Sequence, residues 1–193
     1  MKIYSFDVFD TVLTRIVAKP KDIFLLMQSE LKGRDIQLPD KVIENFAPIR
    51  VNSERTARRS ARREDIKIED IYAQLGRKYG LNGKQIAELI KLELETEYRS
   101  VCPICWTISE INSLRAQGKR IIFISDMYLP EQHIREMLVK VGVYQEGDKL
   151  YVSGESGLKK RTGSLFKYIL EQEHCNPHQM SHCGNNLHSD IFI

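Results

Sequence analysis

Apolar and polar positions along this chain follow two different periods. At the start and through the second half, short apolar runs stand between polar punctuation. Residues 2–7, 120–125 (RIIFIS), 149–153 (KLYVS) and 180–184 (MSHCG) read as strands. Between them the period lengthens to that of helices. One runs over 103–117, with Trp106, Ile111 and Leu114 apolar and Gly118 suited to a C-terminal cap. Another opens at Pro130 and stops before Gly142, and a third carries Leu165, Phe166, Ile169 and Leu170. Short apolar strands alternating with helices predict an α/β fold, a three-layer Rossmann-like parallel sheet covered on both faces.

Residues 19–102 break that alternation with a purely helical pattern. Pro20 opens an apolar helix through Phe24 and Met27, and a second runs from about Pro39 into the arginine-rich RVNSERTARRSARRED. KIEDIYAQLGRKYG reads as a third. The fourth begins NGKQIAEL, where Asn82 and Gln85 can form a capping box, and continues with Ile86, Ile90, Leu94 and Tyr98 at four-residue spacing. The expected organisation is a core of residues 1–18 and 103–193 with a four-helix cap, 19–102, inserted after the first strand.

Composition narrows the class of function. At 193 residues, 42% hydrophobic and 28% charged, the chain suits one well-filled globular domain with an insertion. No run approaches a membrane span and no leader opens the chain, so a cytoplasmic protein without a membrane partner is expected. A net charge of +3 gives no argument for nucleic acid. The four cysteines, Cys102, Cys105, Cys175 and Cys183, suggest free thiols. CPIC with HCNPHQMSHC lacks the second tight ligand pair of a structural zinc site.

Candidate chemistry gathers at strand ends, where open parallel sheets bind ligands. The first strand ends in Asp7, the second in Ser125-Asp126, the third in SGESGLKK and the fourth in GNNLHSD. With FDVFDT, FISDMYLP and these motifs in this order, nearly the whole chain resembles the haloacid dehalogenase-like (HAD) hydrolases. It is most similar to HAD domains found beside or fused to bacterial surface-polysaccharide glycosyltransferases. The resemblance implies a phosphatase acting on a small phosphorylated metabolite, with Asp7 the nucleophile that forms an aspartyl-phosphate. It also implies that Ser125 binds phosphoryl oxygens and that Lys160 neutralises charge. Magnesium would be held by the Asp7 carboxylate, the Phe9 carbonyl and the last loop, Asn185 and Asp190. A glycosyltransferase domain is the implied partner.

The sequence departs from that family pattern twice. Phe9 stands where most of its phosphatases carry a second aspartate, which protonates the leaving group. Asp10 follows one residue later, where glycine is usual, either reaching the leaving group or capping the turn. Asn185 replaces the first acid of the last loop, so a weakened magnesium site is expected. Two alternatives follow: a degenerate, non-catalytic domain serving a glycosyltransferase, and a 2-haloacid dehalogenase. The chain stops three residues after Asp190, where the family fold continues into another strand, which reads as a piece of a longer protein.

Two further groups have ordinary explanations. Arg55, Arg58, Arg59 and Arg62 share a helical face that could grip an anion, but Glu93, Glu95 and Glu97 offer ion pairs within the cap. His182 and His188 flank the acidic loop, where packing is the expected role.

Overall fold

The computed structural model describes residues 2–191; Met1, Phe192 and Ile193, at the ends of the expected core, lie outside them. The chain divides into two compact units. Met1–Thr14, Arg63–Asp65 and Val101–Ile193 form one, and Arg15–Arg62 with Ile66–Ser100 the other.

The first unit is built on a parallel sheet of β1 (Ile3–Asp7), β4 (Arg120–Ser125), β5 (Lys149–Val152) and β6 (Met180–Cys183), in the order β5-β4-β1-β6. All three ladders are parallel, as the alternating pattern predicts. Two short strands that the sequence pattern does not predict, β2 (Leu13–Arg15) and β3 (Val101–Pro103), pair separately. Among the described residues the unit carries four α-helices, α6 (Cys105–Ala116), α7 (Glu131–Lys140), the single turn α8 (Ser153–Ser156) and α9 (Ser164–Gln172), beside short 3-10 and π turns at Pro177–Gln179 and Leu187–Ile191. Ile122 and Ile124 of β4 face α9, where Leu165 and Ile169 are fully buried against them. Phe123, pointing the other way, lies 6.0 Å ring to ring from Tyr144. Burial on both faces is why the two central strands, β1 and β4, read as near-continuous apolar runs.

The second unit is helical: α1 (Ile23–Leu31), α2 (Asp40–Glu44), α3 (Phe46–Ser60), α4 (Ile68–Tyr79) and α5 (Gly83–Ser100). The second expected helix is thus two, broken at Asn45 (φ −124°, ψ 28°). Pro48 supplies the reason. A continuous helix would need its missing N–H to reach Glu44 and would drive its ring into that carbonyl. Gln28 bridges the break, donating to the Glu44 carbonyl (2.8 Å) and accepting from the Ala47 amide (2.9 Å). The Asn82–Gln85 capping box forms with both reciprocal bonds, 2.8 and 2.9 Å.

Charges are buried inside this helical unit. Arg50 forms a two-pronged pair with Glu93, both bonds 2.7 Å, and Tyr72 donates to the same carboxylate at 2.6 Å. The Arg50 guanidinium also lies over the Phe24 ring, 4.6 Å from its centre. Arg15 pairs with Glu97, and Arg34 with Glu30 and Glu95. Glu97, Glu95 and Glu93 of α5 are therefore paired with Arg15, Arg34 and Arg50, which are not the four arginines (Arg55, Arg58, Arg59, Arg62) whose shared face the sequence suggested. Among the described residues, no helix is long and apolar enough to cross a membrane.

Candidate active site

Parallel pairing brings the strand ends to one edge. Asp7 ends β1 opposite Ile124 of β4, so Ser125 stands one residue beyond it, while β6 flanks β1 on the other side. Beyond Asp7 the chain turns back on itself. The amides of Val12 and Leu13 both donate to the Val8 carbonyl (2.9 and 3.0 Å), and Asp10 takes φ of 60°. Beyond β6, Gly184 leads into the turn that carries Asp190. A Cβ at Gly184 would lie 2.4 Å from the Asp190 carboxylate, so only glycine lets that carboxylate close against the strand end.

Lys160 joins the two acids. Its ammonium, 2% exposed, donates to Asp7 Oδ1 at 2.6 Å and to Asp190 Oδ1 at 2.5 Å. Asp7 also accepts from the Thr11 hydroxyl through Oδ2 (3.3 Å) and from the Val8 amide. Burial pushes the Asp7 carboxyl up, against the pull of the Lys160 ammonium. Burial works against charge at Lys160 too, yet the two carboxylates hold its ammonium above the ordinary lysine range. At Asp190 burial is overcome by hydrogen bonds from His182 and Lys160 and by the Asn186 amide, so this carboxyl lies well below its ordinary range.

Ser125 is buried at the end of β4. Asp126 accepts the Lys160 backbone N–H at 3.0 Å; burial and the nearby acids Asp65 and Asp7 push its carboxyl up. Asp10 is exposed and accepts from the Thr14 hydroxyl at 2.8 Å, so it braces the turn. Phe9 opens the same turn, bridging to Leu13. Asn185 is exposed at the start of the last loop. The structure thus joins Asp7, Lys160 and Asp190 directly, sets Ser125 beside them, and turns Asp10 to Thr14.

Three further residues belong to this neighbourhood: His182, for which the sequence suggested only packing, and Glu64 and Asp65, which it did not single out. His182 pairs in register with Ser5, and its Nδ1 lies 2.9 Å from the Ser5 hydroxyl. Its Nε2 lies 3.3 Å from Asp190 Oδ1. An ionised carboxylate only accepts, so Nε2 carries the proton in that contact. Glu64 and Asp65 sit between α3 and α4 yet belong to the sheet unit. Their proximity to an arginine run disguised them.

The donor set suits magnesium in kind, since hard carboxylate and carbonyl oxygens are its ligands and one or two carboxylates commonly suffice beside substrate phosphate. Asp7 Oδ2 keeps acceptor capacity beyond the Thr11 bond, and the Phe9 carbonyl and Asn185 amide add neutral oxygens. Asp190 is less free, with Oδ1 on Lys160 and Oδ2 accepting the Asn186 amide at 2.9 Å. Among the described residues, no group of three or more His, Cys, Asp or Glu side chains is arranged to hold a metal, zinc included, and all four cysteines are free.

No protein-family model and no curated protein matches the chain. Solved structures do. YfnB of Bacillus subtilis, assigned as a HAD-hydrolase and solved bound to magnesium, is 17% identical over 98% of this chain and 82% of its own, with a TM-score of 0.59. The 2-haloacid dehalogenase of Pseudomonas syringae pv. tomato gives a TM-score of 0.65 at 14% identity, covering 99% of this chain and 80% of that one. A predicted phosphoglycolate phosphatase of Haemophilus somnus gives 0.57 at 14%, covering 98% and 79%. The parallel sheet, its helices and these likenesses together give this chain the fold of the HAD-like hydrolases.

Proposed function

We propose that this protein is a hydrolase of small phosphate monoesters that works through an aspartyl-phosphate on Asp7. The observation that carries the reading is the Lys160 ammonium, 2.6 Å from Asp7 and 2.5 Å from Asp190 at the carboxyl ends of adjacent strands. A carboxylate repels a phosphate dianion, and a fixed cation at its side offsets that repulsion and takes up charge in the transition state. An Asp7 oxygen bonds to phosphorus as the ester P–O bond breaks. The leaving alkoxide takes a proton, and water then cleaves the acyl phosphate to release phosphate and restore the carboxylate. Ser125 donates to a phosphoryl oxygen. Asp190 and His182 hold Lys160 in place. Asp7, the Phe9 carbonyl and Asn185, with help from Asp190, would hold magnesium weakly, and the ion would add charge neutralisation when bound.

Phe9 and the Asp10–Thr14 bond leave leaving-group protonation without an assigned carboxyl. Substrates whose leaving groups need little help, such as aryl phosphates, should therefore be favoured. The same observation favours a second reading, displacement of halide from a 2-haloacid, where the leaving group needs no proton. The test is hydrolysis of an aryl phosphate with and without magnesium, beside halide release from a 2-haloacid, for wild type and Asp7→Asn. Magnesium-dependent phosphate release that Asp7→Asn abolishes supports the phosphatase. Metal-independent halide release supports the dehalogenase. A folded protein inactive in both assays defeats both readings in favour of a non-catalytic domain beside a glycosyltransferase, the partner drawn from the family resemblance.

A further inference from the structure

The segment Arg63–Asp65 lies between α3 and α4, yet its bonds run to the loops at the ends of β4 and β5. The amides of Glu64 and Asp65 both donate to the Gly157 carbonyl, at 3.0 and 3.3 Å. The Glu64 carboxylate accepts from the Lys159 amide (2.9 Å), the Thr162 hydroxyl (2.7 Å) and the Ser164 hydroxyl. Asp65, 2% exposed, accepts from the Ser153 hydroxyl at 2.6 Å, and that hydroxyl in turn accepts the Met127 amide at 2.8 Å. Lys160 sits inside this frame, its own amide fixed to Asp126.

We propose that Glu64 and Asp65 are positioning residues for Lys160, a carboxylate brace that fixes the 159–164 loop so that the ammonium meets Asp7 and Asp190. The inference rests on the reading of Asp7 and Lys160 as the reacting pair. The physical case is one of reach. Lys160 has a flexible stem, and residues 159–163 precede the first turn of α9, so regular structure does not hold its backbone. Glu64 fastens that stretch on both sides of Lys160, through the Lys159 amide and through Thr162 and Ser164. An exposed carboxylate that takes three donors from one loop is a clamp rather than a solvated surface charge. Consistently, the Ser164 and Thr162 hydroxyls and the Lys159 amide hold its carboxyl below the ordinary range. Asp65 holds the Ser153 hydroxyl, which in turn accepts the Met127 amide and so joins the turn after β5 to the stretch after β4.

The experiment compares wild type, Glu64→Ala and Glu64→Gln by two readouts. One is kcat and KM on an aryl phosphate. The other is acetylation of Lys160 by acetic anhydride, measured by mass spectrometry against the exposed Lys167 in the same sample. Glu64→Ala should lower kcat about 10- to 100-fold with KM nearly unchanged, because a misplaced charge acts on the transition state. It should also raise Lys160 labelling while Lys167 and the melting temperature stay put. Glu64→Gln keeps an acceptor oxygen and should fall between the two. Wild-type kcat with wild-type protection of Lys160 in Glu64→Ala would overturn the proposal. So would a loss of activity matched by a lower melting temperature and a general rise in lysine labelling. If the wild type turns over no aryl phosphate, the phosphatase reading fails while Lys160 labelling still decides the positioning claim.

Discussion

Asp10 occupies a backbone conformation that side chains other than glycine, asparagine and aspartate seldom adopt, and it accepts a hydrogen bond from Thr14. Glycine adopts this left-handed conformation without strain. Asp10→Gly should fold and keep its turnover, whereas Asp10→Val should lose about 1–2 kcal/mol of stability, read from the urea midpoint. Loss of turnover in a folded Asp10→Gly would make Asp10 part of the chemistry after all. Asp7 and Ser125 stood out as polar residues where an apolar run ends, whereas Lys160 and Asp190 were singled out only by the resemblance to the HAD-like hydrolases. The place of His182 was not legible, since its contact with Ser5 depends on which strands pair and in what register.

Among the elements, the clearest test concerns the buried ions between α3, α4 and α5. Arg50 and Glu93 are both fully buried, and each is costly without the other. Arg50→Met alone should cost about 3–5 kcal/mol, because it strands the Glu93 carboxylate in apolar surroundings. Adding Glu93→Leu and Tyr72→Phe should recover much of that loss, by chemical denaturation of the single and triple variants. If the triple variant is no more stable than the single one, the cost lies in packing around the Arg50 stem and not in the stranded charge. The helices themselves were legible from their period. The break at Asn45 was missed because the apolar spacing runs on through it, although Pro48 stood in the sequence as its signal. Strands β2 and β3, three residues each, carry too little pattern to stand out.

At the scale of the molecule, acid should destabilise the protein through particular carboxylates. Glu173 is buried; that burial is outweighed by the Tyr151 hydroxyl, Lys149 and Arg120, which hold its carboxyl below the ordinary value of 4.5. A carboxyl whose folded value is depressed binds fewer protons than in the unfolded chain above that value. Its contribution is therefore full above 4.5 and is lost as pH falls through the folded value. Glu173→Gln should flatten the fall in urea midpoint between about pH 6 and pH 3. An unchanged slope would remove Glu173 from acid unfolding. The sheet was legible at this scale from alternation alone, but the placing of Arg63–Asp65 with the sheet was not. Three residues held by side chains and one shared carbonyl leave no periodic signature.

The position of β1 between β4 and β6 has a consequence for synthesis. The helices of the second unit lie in sequence between residues 15 and 100 and can pack as they emerge, since their partners are close along the chain. Within the sheet, β1 is made before both of its neighbours. Its two neighbours arrive late, and the bond between Ser5 and His182 spans 177 residues. Until then a short, apolar strand waits with both hydrogen-bonding edges open, which is the condition that invites pairing with another chain. Refolding from urea should accordingly be biphasic, with helical circular dichroism returning before Trp106 fluorescence and turnover. Yield should fall as protein concentration rises, and a chaperone that shields the unpaired β1 should restore it.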